Sequence, residues 1–122
     1  MLNCLIVGAG GFVGSVMRYL IGRIPVNEGF VFPAKTLAIN IIAALLIGII
    51  AALAGRNPEY GPRLELLLKA GFCGGFSTFS TFSLETVGLF TGGHTVMAVV
   101  YIVISVLACI LAVIAGAWLI NA

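Results

Sequence analysis

Four stretches of this chain, at about 2–20, 36–54, 64–90 and 96–120, run almost without charge and reach the length of a bilayer crossing. A helix rising 1.5 Å per residue needs about 20 mainly apolar residues to span roughly 30 Å of hydrocarbon. Inside lipid the backbone must satisfy itself, so such stretches fold as helices. The links between them are short: GRIPVNEGFVFPAK, which either begins with helix or lies at the interface, GRNPEYGPR, a Gly- and Pro-punctuated turn, and TGGH. Composition closes off the soluble alternative. Of 122 residues, 61% are hydrophobic and 8% charged, against about 45–50% apolar and about 25% charged for a soluble domain. The expectation is an all-α integral membrane protein, one domain over 1–122, with successive spans crossing in alternate directions, both termini on one side and no room for a soluble domain. MLNCLIVG carries no basic residue ahead of its apolar run, so the first stretch reads as part of the mature protein and not as a signal peptide.

The charges say little about outside partners. A net charge of +2, scattered, gives no footprint for nucleic acid. Lysine and arginine fall three against three, with Arg18, Arg23 and Lys35 on one side and Arg56, Arg63 and Lys69 on the other. The balance fits dual topology, in which copies insert both ways and pair antiparallel; six charges also fit a chain whose orientation they do not decide. Four helices alone enclose little, so an aqueous path would need a second copy. Cys4, Cys73 and Cys109 are far apart within apolar runs and read as small buried hydrophobes. His94 has no metal-ligand companions nearby, and no nucleophile, base and orienter can be assembled, so no enzymatic activity is expected.

The front of the chain imitates a nucleotide-binding turn. CLIVGAGGFVGSVMRYLIGR places Gly8, Gly10 and Gly14 between an apolar run and a helix, with Glu28 about 20 residues beyond Gly8. The rest of the chain offers no alternating strands to complete a parallel sheet. Gly10 and Gly14, four apart, read better as close-contact points between membrane helices. Arg18, one turn further, either snorkels to the interface or lines an entrance.

The third stretch is unlike the others. Gly71 to Ser83 reads GFCGGFSTFSTFS. Each of Gly71, Gly74 and Gly75 costs a helix about 1 kcal/mol relative to alanine, and Ser77, Thr78, Ser80, Thr81 and Ser83 crowd hydroxyls behind them. A broken helix is expected, and a break at membrane depth must be buried in protein or line a water-filled cavity. Its freed carbonyls suit a cation such as sodium. Phe79 and Phe82 share a face, and aromatic edges are positive; with hydroxyl and amide donors around them they suit a small, hard anion. The packing alternative makes Phe72, Phe76, Phe79 and Phe82 core aromatics, with the hydroxyls bonding back to helix carbonyls. Asn40 is the one side-chain amide of its span, either interhelical glue or a donor facing a pathway. Tyr101, Ser105 and Cys109 recur every four residues on one face, and Glu85 is an intramembrane acid, a functional candidate by default.

GFCGGFSTFSTFS closely resembles the motif of the Fluc/CrcB fluoride channels, whose usual form is GG, an apolar residue and then TTFSTFS. GSVMRYLIG and TLAINIIAALLIG resemble that family's first- and second-span segments, with its arginine and asparagine, and the likeness extends along the whole chain. The resemblance implies a third span broken at its middle, an antiparallel dual-topology homodimer with two pores, and passive export of cytoplasmic fluoride across the plasma membrane without ATP or a coupling ion. It implies ring edges of Phe79 and Phe82 and the amide of Asn40 on the ion, a polar track through Ser80, Thr81 and Ser105, Tyr101 beside that track and Arg18 near a vestibule. It further implies a structural sodium ion at the dimer centre, held by backbone carbonyls of Gly74 and Ser77 from each subunit. Ser77 stands where threonine is usual, and Cys109 where some relatives carry serine. Two rivals remain. A small dual-topology multidrug-type cation exporter needs an acid in its first span, and none of the four acids lies there. A membrane scaffold would use the polar residues only to fasten helices.

Overall fold

A computed structural model describes residues 1–25 and 31–122. Glu28 and the middle of the first connection lie outside the described residues. Three uninterrupted helices, α1 (Leu2–Gly22), α2 (Ala34–Arg56) and α6 (Thr95–Asn121), are long and apolar enough to cross a membrane, and the chain is a multi-pass membrane protein. Between α2 and α6 the third apolar stretch is assembled from pieces: α3 (Pro62–Glu65), a π-helical run π1 (Leu66–Cys73), α4 (Gly74–Phe76) and, after two extended residues, α5 (Phe79–Thr91). No strand occurs among the described residues.

The turns follow from their residues. Pro62 opens α3 at its first position, where the missing N–H would be orphaned in any case. Between α5 and α6, Gly93 takes φ 82°, left-handed backbone that glycine adopts without penalty.

Two pairs of helices form the body. α2 lies against α6, and α1 lies against π1 and α4. Both pairs close through glycine. A Cβ on Gly10 would stand 2.8 Å from the Phe72 nitrogen, one on Gly14 2.8 Å from the Phe76 nitrogen, and one on Gly75 2.9 Å from the Gly11 Cα. In the other pair Gly48 meets the Val113 backbone and Gly116 meets Leu45 and Ile49. In lipid, where apolar surface gains nothing by leaving water, such backbone contact is what joins helices. The four-residue spacing of Gly10 and Gly14 thus serves packing, and Gly8, with open space beside it, has no such part.

α5 departs from this frame, since it leaves α1 and packs on α6 and α2. Phe82 and Leu89 of α5 join Ala98 and Tyr101 of α6 in one buried cluster, with Phe32 and Leu37 against it. Ile39, Ala43 and Phe76 form a second cluster with Ile21 and Phe72. The outer faces stay apolar and exposed, as at Leu5, Leu84, Val96 and Trp118, which suits hydrocarbon as the surrounding solvent. Cys73 is buried and Cys109 half-buried, whereas Cys4 lies exposed on α1, so the buried reading of the cysteines fails there.

Candidate functional site

The break occupies Ser77 (φ −76°, ψ 158°) and Thr78 (φ −149°, ψ 114°). The glycines ahead of it are not its location: Gly71, Gly74 and Gly75 remain helical, and Gly71 and Gly75 are spent on contact with α1. What redirects the chain is a set of side chains bonding to backbone. Thr78 N donates to Asn40 Oδ1 at 2.9 Å, and Asn40 Nδ2 donates to Thr78 O at 3.1 Å. The α2 amide therefore pairs with both main-chain groups of one extended residue, as a neighbouring strand would. In a continuous helix that N–H would go to Gly74 O; Asn40 diverts it. Arg18 Nε donates to Gly75 O at 3.2 Å, so the arginine turns inward to the broken end instead of reaching for solvent. Ser77 Oγ and N both donate to Cys73 O, at 2.8 and 3.0 Å. Ser77 O accepts no hydrogen bond among the described residues.

Thr78 also starts α5. Its Oγ1 accepts from Thr81 N at 3.2 Å, an N-cap bond, donates to Thr81 Oγ1 at 2.9 Å and lies 3.4 Å from Ser80 Oγ. Thr78, Ser80 and Thr81 thus cluster at the break, while Ser83 and Thr86 bond back to Phe79 O and Phe82 O. The hydroxyl-rich stretch divides: part of it is local helix chemistry, and part surrounds the extended peptide.

Two cavities meet at Thr78, which lines both. One, a groove of about 470 Å³, is lined by Asn40, Gly74, Ser77, Phe79, Phe82 and Ser105, and also by Cys109 and Lys69. The other, of about 830 Å³, holds Arg18, Arg23, Lys35, Thr81 and Glu85. Of the residues singled out from sequence, Asn40, Phe79, Phe82 and Ser105 come together in the groove with the peptide edges of Gly74 and Ser77, and Arg18 and Thr81 lie in the second cavity. Tyr101 and Ser80 line neither. Tyr101 is fully buried behind Phe82, ring centroids 5.0 Å apart, with Phe32 edge-on at 5.5 Å on its other side.

The two phenylalanines differ in setting. Phe82 is 9% exposed and Phe79 is 79% exposed, their rings 5.5 Å apart and tilted at 42°. Phe79 stands on a face this chain does not cover. Ser105 Oγ, on the groove wall, and Tyr101 Oη, behind Phe82, are buried with no hydrogen-bond partner among the described residues, a costly state for a polar atom. In the second cavity Thr36 Oγ1 donates to Glu85 Oε1 at 2.6 Å, the short separation of a hydroxyl on a carboxylate.

Sequence reasoning counted Thr78 only among the hydroxyl donors, without its place at the break, and passed over Thr36 and Phe32. A signal existed for Thr78, a threonine just ahead of a helical run, where an N-cap belongs. Thr36 and Phe32 act through partners 49 and 69 positions away, which spacing does not reveal.

The Gly74 and Ser77 carbonyls suit a hard cation in kind. Gly74 O has lost its helical partner Thr78 N to Asn40, Ser77 O is unpaired among the described residues, and Gly74 is exposed. Carbonyl oxygens are ligands that sodium accepts. Two from one chain fall short of a full shell.

Residues 5–117 match the family model described as CrcB-like protein, Camphor Resistance (CrcB). The chain is 47% identical over 118 residues to the fluoride-specific ion channel FluC of Ruminiclostridium cellulolyticum, covering 95% of this chain and 90% of the relative. It is 47% identical over 102 residues to FluC of Chlorobaculum tepidum, 84% and 81% of the two chains. To FluC of Leptospira interrogans it is 41% identical over 120 residues, 98% and 94%.

Proposed function

Since this chain belongs to the CrcB-like family, we propose that it is a fluoride-selective channel through which cytoplasmic fluoride leaves the cell passively. The observation that carries the reading is one groove in which two aromatic rings, an amide and an unpaired hydroxyl converge on a helix break. Relatives named as fluoride-specific channels, similar over nearly the full length, support it.

The physical scheme needs no coupling ion or ATP. Hydrogen fluoride crosses lipid as a neutral molecule and dissociates inside, and the negative interior drives the trapped anion out through an open path. Several side chains along the path offer donors. Phe79 and Phe82 present positive ring edges, Asn40 keeps a second amide hydrogen beyond the one on Thr78, and Ser105 holds an O–H with no protein partner among the described residues. Thr81 and Ser80 extend the track past Thr78, Arg18 draws anions to the wider cavity, and Tyr101 backs Phe82. Selection against chloride comes from pore width and donor placement.

Two copies make the pore. Phe79, 79% exposed in the chain alone, and the open face around Gly74 are where an antiparallel partner sits, each copy's broken third segment completing a fourth crossing. Gly74 and Ser77 carbonyls of both copies would hold a structural sodium ion, which supplies positive charge that locks the two breaks together. Liposomes containing the purified protein, read side by side with fluoride and chloride electrodes, test the function: rapid fluoride loss without chloride loss is expected, and flux of neither ion removes the reading. Cross-linking that yielded only parallel pairs would remove the dual-topology dimer.

A further inference from the structure

We propose that Lys69 gathers anions at the groove and that Glu65 is its counter-charge, so that the pair sets how readily fluoride reaches the break. The inference rests on the channel reading. Lys69 is the one cationic side chain among the described residues lining the groove, whose other polar lining is Asn40, Ser77, Thr78 and Ser105. It stands in the opening turns of the third apolar segment, one turn beyond Glu65. Lys69 and Cys73, in the π-helical run, and Gly74, just past it, share the groove wall.

Its only hydrogen-bond partner among the described residues is Glu65, Nζ to Oε1 at 3.1 Å, with the two side chains 45% and 36% exposed. An ion pair this open holds little free energy. The ammonium is therefore exchangeable: it can turn from the carboxylate to an arriving anion and return. A cleft with low-dielectric walls focuses such a charge and raises local anion concentration.

A purely structural ion pair and a gathering cation predict different signs. If the pair only braces the helix, removing either member acts alike on stability and leaves flux unchanged. If Lys69 gathers anions, Lys69→Gln slows efflux and Glu65→Gln speeds it. The experiment is fluoride efflux from liposomes carrying the full chain at low fluoride, at about 10 mM and about 300 mM ionic strength, chosen because screening lengths fall from roughly 30 Å to well under 10 Å across that range. At low ionic strength Lys69→Gln should be about three- to tenfold slower and Glu65→Gln about two- to fivefold faster, within the range of electrostatic steering; Lys69→Arg should match the parent, and all four should converge at high salt. Rates for Lys69→Gln and Glu65→Gln that move in the same direction, or that keep the parent's salt dependence, overturn the proposal. Should Lys69→Gln not assemble, Glu65→Gln decides alone, and a rate equal to the parent's at low salt overturns it. A parent protein that passes no fluoride defeats the channel reading instead, a separate outcome.

Discussion

The two halves of the third apolar segment are held in different ways. Ahead of the break, π1 and α4 meet α1 backbone to backbone, with Gly10, Gly14 and Gly75 bringing main chains together so closely that a methyl group has no room. Beyond the break, α5 has no glycine contact of that kind with another helix. Side chains hold it: Phe82 and Leu89 against Tyr101 and Ala98, and the Asn40 amide on Thr78. Backbone contact fixes a helix but presents no chemistry, whereas side-chain contact leaves groups that can turn toward a ligand. The first half is an anchor and the second a working face, and their separation places the break where one gives way to the other.

The difference can be broken from either side. Gly14→Val should have the largest effect, because its Cβ would stand 2.8 Å from the Phe76 nitrogen and closer still to the Phe72 carbonyl oxygen, and backbone cannot yield as a side chain can. Overpacking costs about 1–3 kcal/mol in an ordinary core and more against main chain. Size-exclusion profiles in detergent should show loss of folded protein; normal assembly would mean that α1 is not an anchor. Phe79→Ile with Phe82→Ile should leave assembly intact and cut conduction sharply. Two ring-edge contacts of about 1–1.5 kcal/mol each correspond to about a hundredfold loss of fluoride flux. Retained flux in well-folded double mutant would detach these rings from the pathway.

How much of this was legible in the sequence depended on distance along the chain. The helical stretches and the Gly10–Gly14 contact follow from hydropathy and spacing, which are local. The break was visible as a conflict between apolar length and the run of glycine and hydroxyl residues over 71–83, but its position within that run was not. The chain turns at Ser77–Thr78 because Asn40, 38 positions away, captures both main-chain groups of Thr78. The π turn at Leu66–Cys73 had no sequence sign at all, since LLLKAGFC carries neither proline nor a polar interruption beyond Lys69. The family motif supplied residue roles that spacing alone left open between packing and conduction.

Asn40→Asp sharpens the comparison at the joint between the halves. Aspartate retains an acceptor for Thr78 N but loses the donor to Thr78 O, setting a carboxylate oxygen against a carbonyl. Stability should fall by about 1–3 kcal/mol, the cost of an unsatisfied buried group, and fluoride efflux by about tenfold, near the 1.4 kcal/mol of one lost donor. Thermal melts and efflux on the same preparation check both. A fall in stability with unchanged efflux would make Asn40 a fastener only, and the break a structural joint.

Ser105→Ala is the smallest and the most discriminating change. Ser105 is 7% exposed and lines the groove, and its hydroxyl has no partner among the described residues. Deleting a buried polar atom that bonds to nothing in the protein leaves no orphan behind, so stability should hold within about 0.5 kcal/mol or rise. If the hydroxyl is kept for a passing anion, efflux should still fall about three- to tenfold, the fraction of a decade or full decade that a net hydrogen bond of about 0.5–1.5 kcal/mol represents. Stability and flux would then move independently, as they must on a working face and cannot on an anchor, where Gly14→Val takes both together. A drop in stability without a change in efflux would assign Ser105 to packing and move the wall of the pathway away from α6.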